Sequence, residues 1–312
     1  MTRIERIDIC CTNAILVVLP CPGVALMLKI SSHNGEHFRE DGFQKSFQHL
    51  KMLGYDAIDY QAFATDPREG VYKWDEKRFE EFCLAEKAAA RQIGIEIVQT
   101  HSVWPYDDTK PELEQIIFDA KVKSLKGSAL VGAKYVVMHP VMPFGWKKSP
   151  HHAEDVQANI DYLNRLLPYA KEYGVKIALE NMPCQYVPCG PIEELIACID
   201  GVDSEYVVAC LDTGHSLVVG TQPADAVRML ADRLHCLHIH DNDGVDDLHW
   251  MPYFGKTNWD DFALALRQIG YQGIMNLETV PSRNLPEELY AEADRWLKKA
   301  ICHLARKADN RE

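Results

Sequence analysis

The 312-residue chain carries a formal net charge of -13, with 47% apolar and 25% charged residues. That length suits one large α/β domain with a substantial core, and the composition is that of an ordinary soluble globular protein. The acidic balance argues against a general nucleic-acid surface, which needs a basic footprint.

The first 26 residues contain no βα pattern and are expected to form a loosely ordered extension. Their apolar stretch, Ala14 to Leu19, is followed by Pro20 and Pro22. It is too short to span a bilayer and lacks the layout of an export signal. The remainder, residues 27–312, alternates short apolar segments with helical patterns. The apolar segments read ALMLKI, AIDY, IEIVQT, YVVMH, KIALE, YVVACLD, HCLHIH and IMNLE, beginning near residues 25, 57, 95, 135, 176, 206, 235 and 274. Phe43, Phe47, Leu50 and Leu53 recur at helical spacing before Gly54. Further helices are expected over about 75–93, after Pro111, over about 153–173, from about Pro191, and over about 223–232, 259–269 and 286–306. This order predicts a single-domain (β/α)8 TIM barrel with a closing C-terminal helix. Ten scattered cysteines without a CxxC pair read as reduced thiols of a cytoplasmic protein.

Six of the eight segments finish on or just before a residue that can bind a metal: His101, His139, Glu180, Asp212, His238 and Glu278. Barrels of this type carry their functional residues at the C-terminal ends of the strands, on one face. Glu180 and Glu278 both follow apolar runs, three strands apart. Two carboxylates facing each other across a cation suit proton removal and return at adjacent carbons. Asp212 and His215 stand in a compact DTGH turn. His238 and His240 share one strand face with Ile239 opposite, and Asp241 is placed to orient a ligand histidine. An Asp, a His and two Glu form an oxygen-rich set that suits manganese, magnesium, cobalt or zinc. Trp104 falls in a loop on the same face. Lys147 lies in a small basic loop, 145–152, placed to receive a phosphate or carboxylate.

The segments ALEN (178–181), LDTGH (211–215), HIHDND (238–243), DLHWMPYFGKTNWDDF (247–262) and NLET (276–279) resemble the xylose isomerase-like TIM-barrel superfamily, over about residues 27–305. That superfamily includes sugar-phosphate isomerases and epimerases and the family-two apurinic endonucleases. The resemblance to its ketose epimerases implies one divalent cation held by Glu180, Asp212, His238 and Glu278, with the two glutamates as acid and base. It also implies that His215 touches substrate oxygens. Gly244 stands where the sugar epimerases carry an arginine, a departure that argues against a tagatose- or psicose-type substrate. The endonuclease branch uses three zinc ions, and its additional ligand types are present in His101, His139, Asp247 and His249.

The expected activity is therefore metal-dependent isomerisation or epimerisation of a small sugar, sugar phosphate or sugar acid through an enediolate. His101, His139, His215, His249, Trp104 and Lys147 would bind substrate. No nucleic-acid or membrane partner is expected, and a homo-oligomer is left open. The rivals are a dehydratase of the inosose or dehydroshikimate type, a three-zinc apurinic endonuclease, and a non-catalytic sugar-binding barrel.

Overall fold

The computed structural model describes residues 28–33, 43–103, 111–145, 151–282 and 284–309. Strands and helices alternate along it. They are β1 (Ile30–His33), α1 (Phe43–Leu53), β2 (Ala57–Tyr60), α2 (Glu76–Ile93), β3 (Glu96–His101), α3 (Pro111–Val131), β4 (Tyr135–Met138) and α4 (His152–Tyr173). There follow β5 (Lys176–Glu180), α5 (Ile192–Val202), β6 (Val207–Asp212), α6 (Thr213–Val218), α7 (Pro223–Leu230), β7 (Leu234–His238), α8 (Trp259–Gln268), β8 (Met275–Leu277) and α9 (Glu287–Ala308). The strands are parallel and adjacent in the order β7-β6-β5-β4-β3-β2-β1-β8. Ile239 bridges Leu277, with its N–H donating to the Asn276 carbonyl and the Glu278 N–H donating to the Ile239 carbonyl. That contact closes the sheet into a (β/α)8 barrel.

Local chemistry sets the element ends. The Asp75 side chain accepts from the Arg78 N–H and starts α2, and Gly94, at φ 77°, ends it in a conformation that disfavours side chains. The Asn258 side chain accepts from the Asp261 N–H and starts α8. Strand residues then divide by parity. Ile58, Val136, Ile177, Leu179, Leu211, Leu237 and Leu277 face outward into the main core, against the surrounding helices. Val137, Ala178, Val208, Cys210 and Cys236 form a separate buried cluster whose parity places it on the inner face, inside the barrel. No described helix is long and apolar enough to cross a membrane.

Two details depart from the sequence reading. The first strand is Ile30–His33, not the apolar run 25–30. Its middle is polar because Ser31 faces the barrel interior, where its hydroxyl donates to Asn276 Oδ1 at 2.7 Å. The DTGH turn is the start of the short helix α6, with Asp212 as its cap, accepting from the His215 N–H. The expected extension 1–26 and the residues Trp104 and Lys147 lie outside the described residues.

Candidate metal centre

The ends of β3 to β8 bring the acids and histidines into one buried basin. Glu180 Oε2 lies 3.0 Å from His139 Nε2 and 3.4 Å from His101 Nε2. Its other oxygen lies 2.7 Å from His238 Nδ1, which is also 3.1 Å from Glu278 Oε2. Asp212 meets His240 Nε2 at 2.8 Å. At the rim, Asp247 Oδ2 stands 3.2 Å from His215 Nε2 and 3.4 Å from His249 Nε2. Ligand-capable atoms of His101, Glu180, His238 and Glu278 cluster together, as do those of Glu180, Asp212 and His215, and those of His215, His240, Asp247 and His249.

The histidines are held by the backbone in one orientation. His101 Nδ1 donates to the Ser102 carbonyl, His215 Nδ1 to the Asn181 carbonyl and His249 Nδ1 to the Glu278 carbonyl, each at 2.8 Å. A carbonyl only accepts, so in all three rings Nδ1 carries the proton and Nε2 is the atom turned to the basin. Metal-binding histidines are usually held this way, by a hydrogen bond from the ring nitrogen turned away from the ion. His238 is turned the other way. Its Nε2 faces Asp59 Oδ2 at 3.2 Å, and its Nδ1 faces the two glutamates.

Charge gives the test of fit. Asp59, Glu180, Asp212, Asp247 and Glu278 converge here, and among the described residues histidines and amides answer them, with no lysine or arginine. Burial acts to lower His215 and His249, yet their acids prevail. Asp212 and Asp247 push His215 up to about 10, and Asp247 and Glu278 push His249 up to about 10. Burial acts to raise the Glu180 carboxyl, but charge on His238 holds it well below its usual range. Burial, only partly opposed by Glu180, pushes His139 down to about 4, so that ring is a neutral donor. Glu180 Oε2 is buried without a hydrogen bond, despite the two rings beside it. Donors aimed past one another, and acids balanced only by protonated histidines, fit a cation that would displace those protons. The residues present therefore fit a divalent metal.

The sequence reading missed Asp59. It sits inside β2 in an otherwise apolar AIDY run, which gave no signal beyond a lone acid. Its Oδ2 accepts from Gln99 Nε2 and Asn276 Nδ2, each at 3.0 Å, beneath His238. Asp241 does not orient a ligand histidine. Its carboxylate accepts from the Gly255 N–H, the Thr257 N–H and the Trp259 indole, so it ties the loop after β7 back onto the barrel. The loop then presents Asp247 and His249 to the basin. Gly214 is required by packing: a Cβ there would lie 2.0 Å from the His240 ring.

The family model for xylose isomerase-like TIM barrels matches residues 47–300. The protein named "Probable endonuclease 4" of Bacillus subtilis is 26% identical over 258 residues, covering 75% of this chain and 81% of that one. A solved D-tagatose 3-epimerase-like protein superposes with a TM-score of 0.71 at 21% identity, covering 91% of this chain and 99% of that one. A 3-keto-D-glucoside 4-epimerase from E. coli superposes with a TM-score of 0.68 at 20% identity, covering 87% and 99%. These two structural likenesses concern the fold. The first curated relatives are matched over less than two thirds of their own length, from 27% to 64%.

Proposed function

The chain belongs to the xylose isomerase-like TIM-barrel family, and from that premise we propose that it is a metal-dependent isomerase or epimerase of a small polyhydroxy carbonyl compound. The observation that carries this reading is the placement of Glu180 and Glu278. They come from strands three places apart around the mouth, yet both lie within about 3 Å of the same atom, His238 Nδ1, at 2.7 and 3.1 Å. Two carboxylates that meet at one point can each address one of two adjacent substrate carbons. The names of the tagatose-type and keto-glucoside epimerases with this fold support the same class of substrate.

Glu180, Asp212, His238 and Glu278 would hold one divalent cation, which would polarise the substrate carbonyl and stabilise an enediolate. One glutamate removes the proton α to the carbonyl, and the other returns a proton to the opposite face or to the neighbouring carbon. Glu180 is buried, whereas the Glu278 carboxylate is partly exposed and can exchange its proton with solvent. Asp59 holds the His238 ring with Nδ1 toward the glutamates. His215 and His249 stand at the rim, where a sugar's outer hydroxyls would lie.

A second reading rests on a specific observation. His101 with Glu180, His238 and Glu278, Glu180 with Asp212 and His215, and His215 with His240, Asp247 and His249 are three neighbouring donor groups. Three metals there would suit phosphodiester cleavage at an abasic site, in line with the endonuclease 4 relative. Elemental mass spectrometry of the purified protein, with a ketose and keto-sugar screen in deuterated water, tests both. About one metal per chain, with deuterium entering the substrate α to its carbonyl and mass otherwise conserved, is the expected result. About three zincs with cleavage of abasic DNA and no sugar exchange would replace it by the second reading. Loss of water from the substrate would make the enzyme a lyase.

A further inference from the structure

Resting on the sugar reading of the mouth, we infer that the substrate carries an apolar, aryl-type substituent and that the loops after β7 and β8 form its subsite. A cavity of about 420 Å³ opens at the rim, walled by Leu248, Trp250, Met251, Phe254, Val280 and Leu285. That size lies within the range of about 300–1,000 Å³ usual for small-molecule sites. His249 lines it too, and the same ring faces Asp247 in the metal basin. The His249 ring is therefore shared between the cavity and the proposed reaction centre.

The two compartments differ in chemistry. The basin offers carboxylates and imidazoles to sugar oxygens. The cavity beyond His249 offers hydrocarbon and aromatic surface, with Ser282 as its other polar side chain apart from the Trp250 indole. A bare sugar has hydroxyls on every side and would leave them unpaired against such walls, at a cost in affinity. A flat apolar group linked to the sugar would instead remove surface from water. Trp250 is 40% and Phe254 58% exposed, so there is apolar surface to cover. Phe254 is steadied by an edge-on contact with Trp296 on α9, ring centroids 5.1 Å apart. The walls are thus held in place rather than loosely displayed, and the surface is recessed beside the centre rather than flat. Both features favour a substituent of the substrate over a second copy of the chain as the occupant.

The test uses the full-length, manganese-loaded protein and equilibrium binding of three probes: 4-nitrophenyl β-D-glucoside, methyl β-D-glucoside and 4-nitrophenol. Burying one aryl ring predicts that the nitrophenyl glucoside binds about tenfold or more tightly than the methyl glucoside. Leu285→Asp and, independently, Phe254→Ser should abolish that advantage and the binding of 4-nitrophenol, while leaving the methyl glucoside affinity unchanged. Equal affinity for the two glucosides in the wild type overturns the inference, as does 4-nitrophenol binding that survives both variants. A wild-type dimer that either variant converts to a monomer also overturns it, because the patch then belongs to a contact between copies. If 4-nitrophenol binds in a manner both variants abolish but neither glucoside binds, the aryl subsite stands and the sugar reading of the basin falls.

Discussion

The inner faces of β4 to β7 change character within two residues. At the lower level, Val137, Ala178, Cys210 and Cys236 pack together as a small dry cluster. Two positions further along the same strands stand His139, Glu180, Asp212 and His238. The alternation of strand side chains keeps both levels pointing inward, about 7 Å apart. Below, burial holds the Cys210 and Cys236 thiols above their usual range, so they pack as neutral apolar groups. Above, burial is equally deep, yet Glu180 and Asp212 stay ionised because histidines surround them. The depth is the same at both levels, and the neighbours decide whether a buried charge can be kept.

Substitutions at the upper level should break function with little effect on folding. The largest effect is expected for Glu180→Gln and Glu278→Gln. Each removes one proton carrier and should lower kcat by about 10³-fold or more on whichever sugar proves to be turned over, measured by steady-state kinetics. Wild-type activity in either variant would end the two-carboxylate mechanism. Asp59→Asn comes next. It leaves the ring of His238 without its carboxylate, and metal affinity should fall by about 10–100-fold. Isothermal titration with manganese measures this, and excess manganese should restore most of the kcat. A purely structural role for Asp59 would instead lower thermal stability without rescue by metal. Asp59 is part of the buried network that includes Gln99 and Asn276.

The lower level should show the opposite pattern. Ala178 is fully buried in the dry cluster. Ala178→Val should overpack it and cost about 1–3 kcal/mol in denaturant unfolding, with the number of bound metals unchanged. The smallest effect sharpens the contrast with a third place, α2. Glu86 is buried there opposite Tyr60, and burial, only partly offset by the Tyr60 hydroxyl, pushes its carboxyl up to about 6. Among the described residues, no histidine compensates this acid. The folded state therefore binds its proton more tightly than the unfolded chain does. The group costs nothing below the unfolded pKa of about 4.5, and the penalty grows as pH rises through about 6. Glu86→Gln should stabilise the protein by roughly 1 kcal/mol at pH 7.5, allowing for solvent screening, and by close to nothing at pH 4. Unfolding midpoints at the two pH values check the sign.

The sequence by itself determined the barrel. Eight short apolar runs separated by helical patterns with glycine stops admit few arrangements of parallel strands, and most helix bounds agree with the structure to within two residues. It also determined which strand ends carry acids and histidines, because strand parity is fixed by local geometry. It did not reveal the first strand, whose inward Ser31 donates to Asn276 on the neighbouring strand β8, 245 positions away. Nor did it reveal Asp59, whose partners Gln99, His238 and Asn276 come from three other strands. The tertiary structure alone decided which nitrogen of each histidine faces the basin, since the carbonyls that settle it belong in two of three cases to other strands or loops. It likewise decided that Asp247 and His249 reach the rim, because the loop that carries them is folded back by hydrogen bonds to Asp241. Short-range pattern governs where a strand ends and which way it faces. Partnership across the barrel is a matter of closure, and closure is written in no single segment.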